Sequence, residues 1–231
     1  QSTTLNFKGY EGVFTKSDLT GTMRLKYDRN QPFTKELDYQ NFFKPASIVS
    51  IPEAYIIPQG LHNVIELLKL NNIEISQLKT DSLMPVESYK ISSYETRKTP
   101  YEGHYQHFNT TIKSEITKVK FYKGDYMIST NQFGIRYLLE ALEPQAPDSF
   151  FNWNFFDTIL QRKEYFSPYV WEDKAKLMLT QNPKLQIEFN LKKTYDQDFA
   201  DNWYEQLNWL HQKSEHFEKS YLQYPVYRIL K

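Results

Sequence analysis

The chain has 231 residues, 40% of them hydrophobic, which is enough for one large core or two small ones without disulfide staples. Its 28 basic residues balance 28 acidic ones, so no net field favours nucleic acid or an acidic membrane surface as a partner. The lack of cysteine excludes disulfides, thiolate metal sites and thiol nucleophiles, and no apolar run approaches the ~18 to 20 residues of a membrane-spanning helix.

Residues 1–50 predict a β-rich lead-in segment. Short β-type runs occur at 5–7, 12–15 and 22–27, and the turn-forming residues 28–32 come directly after the last of them. The chain opens on Gln1 rather than methionine, so we expect that it was processed or excised from a longer protein.

Residues 51–148 predict an α/β domain. The apolar run 54–57 is typical of a buried strand, and after Pro58 the apolar residues recur at helical spacing as far as Asn71. Residues 73–78 then predict a second strand. This is a β-α-β unit, which must be parallel and right-handed if both strands share one sheet.

The first half of that unit recurs later in the same segment. Residues 125–128 match 54–57, and the apolar positions of 135–139 match those of 64–68. Between the two copies, residues 85–122 are rich in β-branched and aromatic residues and predict an antiparallel β-hairpin insertion with runs at 86–94, 104–112 and 117–122.

Residues 149–231 predict a helical C-terminal section that packs on the α/β domain. After the aromatic run 149–156, residues 171–180 predict one helix, Asn182-Pro183 begins the next, and Asp196 caps a third. The third helix carries a stripe of Phe199, Trp203, Leu207 and Leu210, and the tail 224–228 is expected to return as an extended segment. The fold class is therefore mixed α/β, with a small open sheet of repeated strand-turn-helix units.

Five polar or small residues at the two strand-to-helix turns are the ligand-binding candidates: Gln59, Gly60, Thr130, Asn131 and Gln132. Residues at strand ends and helix N-termini offer backbone N–H groups and a favourable helix dipole to polar or anionic ligands. The alternative is that they are ordinary polar caps.

Complete catalytic or metal-binding motifs are missing, so we assign no catalytic and no metal residue and expect the fragment alone to be non-catalytic. His104 with His107, and His211 with His216, lack a third ligand by sequence and the H-E-x-x-H order. No G-x-S-x-G elbow occurs, and seven glycines supply no phosphate-binding loop. The aromatic residues of 150–156 with Trp171, Trp203 and Trp209 either stack on sugars or fill a core; core packing is the usual role.

Five strings of the sequence contain no recognisable catalytic or binding motif, yet each is similar to a stretch found in one known family. They are Ala54-Tyr55-Ile56-Ile57-Pro58-Gln59-Gly60, Pro100-Tyr101-Glu102-Gly103-His104-Tyr105, Gly124-Asp125-Tyr126-Met127-Ile128, Leu142-Glu143-Pro144-Gln145-Ala146-Pro147-Asp148-Ser149-Phe150-Phe151 and Tyr224-Pro225-Val226-Tyr227-Arg228. Together they resemble the region located after the peptidase domain in bacterial carboxypeptidase A-like zinc metallocarboxypeptidases.

The resemblance implies a secreted or periplasmic parent that uses zinc to trim C-terminal residues from peptides. It also implies an N-terminal peptidase domain upstream of Gln1 as the partner of this fragment. The metal signature of that family, His-x-x-Glu with a distant third histidine, is not in this sequence, so zinc is expected in the missing domain and no cofactor here. The resulting hypothesis is an accessory region that packs on the peptidase domain and shapes access of its peptide substrate. The alternative is an independent glycan- or peptide-binding module.

Overall fold

The computed structural model describes residues 2–230, which divide into two compact units between Val49 and Ser50. The first unit is a single antiparallel ribbon of two long strands, β1 (Thr3–Lys16) and β2 (Met23–Tyr39). The runs expected within residues 1–50 are therefore joined into two strands. A shift in register opposite Tyr10 and Glu11 leaves residues 29–31 of β2 without partners, and this bulge accommodates Pro32, which has no backbone N–H to donate.

The ribbon carries a row of exposed apolar side chains on each half. In the half nearest the turn, Phe14 lies opposite Leu25 and Gly12 opposite Tyr27, so these side chains share one face. Phe14 is 71% exposed and Tyr27 63% exposed. In the other half, Leu5 lies opposite Leu37 and both are exposed. Two strands alone have little independent stability, so these faces are the notable feature of the unit.

The second unit is built on a six-stranded sheet in which every pairing is antiparallel and the order is β4-β7-β3-β8-β5-β6. Its strands are β3 (Ala54–Ile57), β4 (Ser76–Gln77), β5 (Ser82–Thr96), β6 (His107–Phe121), β7 (Tyr126–Ser129) and β8 (Tyr227–Ile229). β3 and β4 both pair antiparallel with β7, so they run parallel to each other with β7 between them. The predicted β-α-β unit is therefore split by a third strand.

Six helices complete the unit: α1 (His62–Leu70), α2 (Ile135–Leu142), α3 (Pro168–Gln181), α4 (Pro183–Tyr195), α5 (Gln197–Asp201) and α6 (Trp203–Gln212). The repeated strand-turn-helix order is confirmed by β3 with α1 and β7 with α2, and so is the mixed α/β class. Within residues 2–230, none of these helices has the length and apolar character that crossing a membrane requires.

The main core lies where α1 and α2 meet the sheet and the aromatic turn 149–156. Its fully buried members include Tyr55, Leu68, Leu138, Phe151 and Phe156. The helices α3 to α6 surround a second cluster centred on Trp171. Most of the aromatic run therefore fills core, which is the usual role of such residues.

The helical section confirms two predicted caps and corrects one prediction. The side chains of Asn182 and Asp196 accept from backbone N–H groups of α4 and α5. The prediction that Trp203 belongs to one apolar stripe on a single helix is wrong, because Trp203 is 61% exposed. Asn202 caps a new helix by accepting from the N–H of Glu205, so α5 and α6 are separate and Trp203 leaves the stripe.

Two further differences concern strands. The insertion forms one hairpin of two 15-residue strands, β5 and β6, rather than three shorter runs. The strand expected at 73–78 is reduced to β4, two residues at the sheet edge. The tail returns as predicted and becomes β8, which lies between β3 and β5 in the interior of the sheet.

Candidate functional site

The two predicted ligand turns lie at opposite ends of the sheet. Gln59 and Gly60 follow β3, and Thr130, Asn131 and Gln132 follow β7. Because β3 and β7 are antiparallel, with Ile57 opposite Tyr126, the end of one strand adjoins the beginning of the other. The structure therefore does not bring the two turns into one crevice, and ligand binding at either stays a prediction.

In both turns, polar groups form hydrogen bonds with other segments of the protein. The backbone N–H of Gln59 donates to Asp125 Oδ1 at 3.0 Å. Gly124, beside this contact, has a φ of +99°, and a β-carbon there would approach the side chain of Gln59 to 3.0 Å, so glycine suits the turn. Gly60 has open space around it.

At the other end, the Thr130 hydroxyl donates to the carbonyl of Pro52 at 2.6 Å, and the N–H of Asn131 donates to Ser129 Oγ. The Gln132 side chain accepts from the N–H of Glu74 at 2.8 Å and donates back to its carbonyl. These bonds join the end of β7 to the segment before β3 and to the segment that connects α1 with β4.

A second polar site, the His107 cluster, consists of Thr96, His107, Asn154 and Asp157 and lies where the β5–β6 loop meets the aromatic turn. His107 Nε2 is 2.9 Å from Asp157 Oδ1, and its Nδ1 is 2.9 Å from Thr96 Oγ1. Because a carboxylate can only accept, Nε2 donates to Asp157, and Asn154 Nδ2 lies 3.2 Å from the same nitrogen. The ring is buried and Asp157 is half-exposed.

The connectivity of hydroxyl, imidazole and carboxylate is that of a nucleophile with its base and orienting group. The His107 ring, however, is enclosed by Tyr94 and Phe151, with ring centroids 4.8 and 5.1 Å away. Its backbone N–H also donates to the carbonyl of Asn152 at 2.8 Å. The contacts are those of a structural cluster, which joins the end of β5 and the start of β6 to the turn 157–160.

Next to the His107 cluster lies a group of aromatic side chains, called the aromatic rim below, which includes Tyr101, His104, Trp153 and Phe155. The His104 ring stacks on Phe155 at 6.0 Å and meets Trp153 edge-on at 5.5 Å, and Tyr101 lies 6.3 Å from Trp153. Asn154, held in the left-handed region at a φ of 67°, donates to the carbonyl of Tyr105 at 2.9 Å. The exposed rings of Tyr101 and Tyr105 belong to the same segment as His104 and border this surface.

A third site, the Arg228 network, is buried inside the sheet. The Arg228 guanidinium on β8 is bonded to Glu87, to the Tyr89 hydroxyl and to the Ser50 carbonyl. Its Nε lies 3.1 Å from Glu143 Oε1, close enough for an ion pair although it makes no well-aligned hydrogen bond there. Arg228 and Glu143 are almost completely buried.

Two tyrosines complete this network. The Tyr55 hydroxyl donates to Glu143 Oε1 at 2.5 Å, and the Tyr224 hydroxyl donates to the carbonyl of Leu142 at 2.7 Å. Burial raises the pKa of Glu143, against the lowering effects of Tyr55 and Arg228. Burial and the neighbouring carboxylate raise the pKa of Tyr55 as well, so its hydroxyl keeps its proton and remains a donor.

The Arg228 network gives a structural role to three of the strings that contain no recognisable motif. Tyr55, Glu143, Tyr224 and Arg228 each lie in one of the strings that carry the family resemblance. They come from three segments that are far apart in sequence, and the pairing of β8 with β3 and the contact of Tyr55 with Glu143 bring these segments together. The available signal was Arg228, the one charged residue of the string 224–228, because a buried charge requires a partner elsewhere in the fold.

Both histidine pairs lie among aromatic rings. Among residues 2–230, no three carboxylate or imidazole side chains converge as metal ligands. His211 and His216 instead lie against the buried ring of Trp171, with centroids 5.0 and 5.9 Å away. The Trp171 indole N–H donates to the carbonyl of Leu207 at 2.9 Å, which is the satisfied state expected of a core tryptophan.

Comparison with known proteins finds partial similarity to fungal carboxypeptidases. Over 109 residues the chain is 28% identical to carboxypeptidase 2 of Trichophyton rubrum, covering 46% of this chain and 20% of that protein. It is 29% identical over 103 residues to carboxypeptidase 2 of Trichophyton tonsurans, covering 44% of this chain and 19% of that protein. A probable carboxypeptidase 2 of Arthroderma benhamiae is 27% identical over 101 residues.

These alignments cover about one fifth of the length of the curated relatives. No protein-family model matches the chain, and no solved structure matches it. The similarity is thus to a portion of a carboxypeptidase-like protein, and it is compatible with an accessory region of such a protein.

Proposed function

We propose that this chain is a non-catalytic accessory region of a secreted or periplasmic zinc carboxypeptidase-like protein, where it packs on the peptidase domain and shapes access of the peptide substrate. The observation that carries the proposal is the partial similarity to carboxypeptidase 2, which spans only 19 to 20% of those proteins. An alignment of that size leaves about four fifths of each relative outside it, as expected if the aligned segment is an accessory region of a longer protein.

The exposed apolar faces of the β1–β2 ribbon support a docking role. Phe14, Met23 and Tyr27 are each more than 60% exposed. A two-stranded ribbon gains stability when a further layer covers such a face. The occupant that we propose is the peptidase domain of the same longer protein, since the matched relatives are about five times as long as the aligned stretch.

The zinc that the resemblance implies belongs, in this proposal, to the peptidase domain. Residues 2–230 bring no three suitable ligands together, so the donor set of the described chain does not fit a catalytic zinc ion. The bacterial origin of the family resemblance is likewise part of the proposal, because the matched relatives are fungal.

Two measurements test the proposal. Sequencing the gene upstream of the codon for Gln1 is expected to reveal a peptidase domain with His-x-x-Glu and a later histidine. The purified 231-residue chain is expected to release no C-terminal amino acid from a panel of blocked peptides, with or without added zinc. A signal peptide directly before Gln1, or zinc-dependent release by the isolated chain, would overturn the assignment.

The alternative is an independent module that binds glycans or peptides at the aromatic rim. It is favoured by the exposed rings of Tyr101 and Tyr105 beside Trp153. The burial of Trp171 removes that residue as a stacking platform. Titration with oligosaccharides and with blocked peptides, followed by tryptophan fluorescence, distinguishes the two: saturable quenching that Tyr101→Ala abolishes supports the module.

A further inference from the structure

Arg162, just after the turn 157–160, is a cation held in place without a counter-ion in the described chain. Its Nη1 donates to Asn208 Oδ1 at 2.8 Å. The guanidinium lies 4.9 Å from the ring of Tyr165 and 5.2 Å from that of Phe217. One polar bond and two aromatic faces therefore fix the orientation of the group.

The other side of the guanidinium has no partner among the described residues. Nε and Nη2 are both buried, and neither makes a hydrogen bond within residues 2–230. No carboxylate of the described chain lies within ion-pair distance of Arg162, whereas Arg228, which is buried, has two. Arg162 as a residue is partly exposed, but shielded donors that lack an acceptor are costly, and such groups in proteins usually have a partner.

The two unused donors are chemically specific. Nε–H and Nη2–H lie on the same edge of the guanidinium and point in parallel, which matches the two oxygens of a carboxylate. The remaining Nη1 is the nitrogen that Asn208 holds. Asn208 therefore fixes one nitrogen of the guanidinium and leaves Nε and Nη2 as a pair of parallel donors, called the fork below.

A second unpaired polar atom lies nearby. His211 Nδ1 is buried without a hydrogen bond in the described chain, and the His211 ring packs 5.9 Å from the Phe217 ring that also faces Arg162. Burial, then the charges of Arg162 and His216, lower the pKa of His211. A neutral imidazole can add one donor without adding charge to the site.

We propose that Arg162 binds a carboxylate in a bidentate manner, with Asn208 as the residue that positions the fork. The carboxylate comes from a peptide, either from its C-terminus or from an acidic side chain. Both donors are shielded in the ligand-free chain, so binding requires a side-chain movement, and Tyr165, 63% exposed, is the neighbour with room to move. This inference does not depend on the accessory role proposed above.

The test is a titration of the full chain with sodium acetate, at ionic strength balanced by sodium chloride, observed through the side-chain Nε–H signal of Arg162 in nitrogen-15 NMR. We expect a saturable shift with acetate and none with chloride alone. Backbone signals of Asn208 and Phe217 should respond in the wild type, should not respond in Arg162→Gln, and should require at least tenfold more acetate in Arg162→Lys, which keeps the charge but lacks the fork.

Arg97→Gln is the matched control, since its exposed guanidinium also lies over an aromatic ring, that of Phe108, yet is not buried. Acetylated dialanine with a free C-terminus, the same peptide as its amide, and N-acetylglutamate amide distinguish a terminal from a side-chain carboxylate. Tryptophan fluorescence verifies that Arg162→Gln is folded. A non-saturable response to acetate, or the same response in Arg162→Gln, would show that Arg162 binds no carboxylate.

Discussion

Arg228 is the residue on which the interior of the second unit most depends, because it joins β8 to both Glu87 and Glu143. Replacing it with methionine keeps much of its volume but leaves two carboxylates without their cation. We expect Arg228→Met to lower the free energy of unfolding by about 3 to 5 kcal/mol.

Arg136→Met is the matched control, since Arg136 pairs with Glu140 at the surface of α2 and exposed pairs contribute only about 0 to 1 kcal/mol. All four tryptophans lie beyond residue 150, so tryptophan fluorescence during urea unfolding reports on the second unit alone. A loss below about 1 kcal/mol in Arg228→Met would show that the network is not a stabilising element.

Glu143 gives the network a pH dependence. Burial raises its pKa above the ordinary value of 4.5, so the folded state binds the proton more tightly than the unfolded state. The stability that this proton contributes is fully present below pH 4.5 and is lost as the pH rises through the raised pKa.

Glu143→Gln removes this titration and keeps the shape of the side chain. The difference in unfolding free energy, wild type minus Glu143→Gln, is expected to fall as the pH rises above 4.5. Urea unfolding at a series of pH values measures it. A difference that grows with pH would mean that the pairing with Arg228 outweighs burial.

Residue-level reasoning from the sequence identifies some of these groups and misses others. His107 is recognisable as a histidine in a hairpin, and Thr96 lies opposite it there, but Asp157 comes from a segment that no local pattern joins to it. Glu143 and Arg228 lie within the strings of the family resemblance, yet their pairing depends on the order of strands. Sequence shows that a buried charge needs a partner and does not show which one.

At the level of elements, the helix caps are the most predictable feature. Asn182 precedes Pro183 and accepts from the N–H of Leu185. Removing the cap in Asn182→Ala is expected to cost about 0.5 to 2 kcal/mol of unfolding free energy. Asn190 is a matched control inside α4, where alanine favours the helix.

The same substitution is therefore expected to have opposite signs at these two positions. Thermal unfolding followed by tryptophan fluorescence should place Asn182→Ala below the wild type and Asn190→Ala at or above it. Equal melting temperatures for the two variants would contradict the assignment of Asn182 as a cap.

The break at Asn202 is also encoded locally, although the prediction of one continuous helix overlooks it. Asn202 is followed three residues later by Glu205, which is the usual spacing of a helix start, and this signal outweighs the apolar stripe that favours one helix. The insertion of β7 between β3 and β4, by contrast, has no local signal. It depends on pairing across more than 45 residues, such as Ser76 with Met127, and sequence periodicity carries no information on such neighbours.

At the scale of the whole molecule, the ribbon and the second unit differ in how much of their apolar surface is buried. The second unit has its own cores and a closed polar network, and so it is self-sufficient by the usual criteria of burial. The ribbon has no such core among the described residues, and its apolar side chains are exposed. In a carboxypeptidase-like protein, the ribbon is the element that we expect to carry the contact with the peptidase domain.

The most direct test of this account is co-purification of the full 231-residue chain with the separately expressed peptidase domain that we propose to be encoded upstream of it. The wild-type chain should form a stable one-to-one complex. The double variant Phe14→Thr/Tyr27→Thr keeps strand propensity but removes two exposed rings, and it should lose at least tenfold in affinity.

Phe133→Thr removes an exposed ring from the second unit and should bind as the wild type does. Circular dichroism verifies that each variant keeps its secondary structure. A complex of unchanged affinity in the ribbon variant, or no complex with the wild-type chain, would contradict the claim that this chain is an accessory region docked through its β1–β2 ribbon.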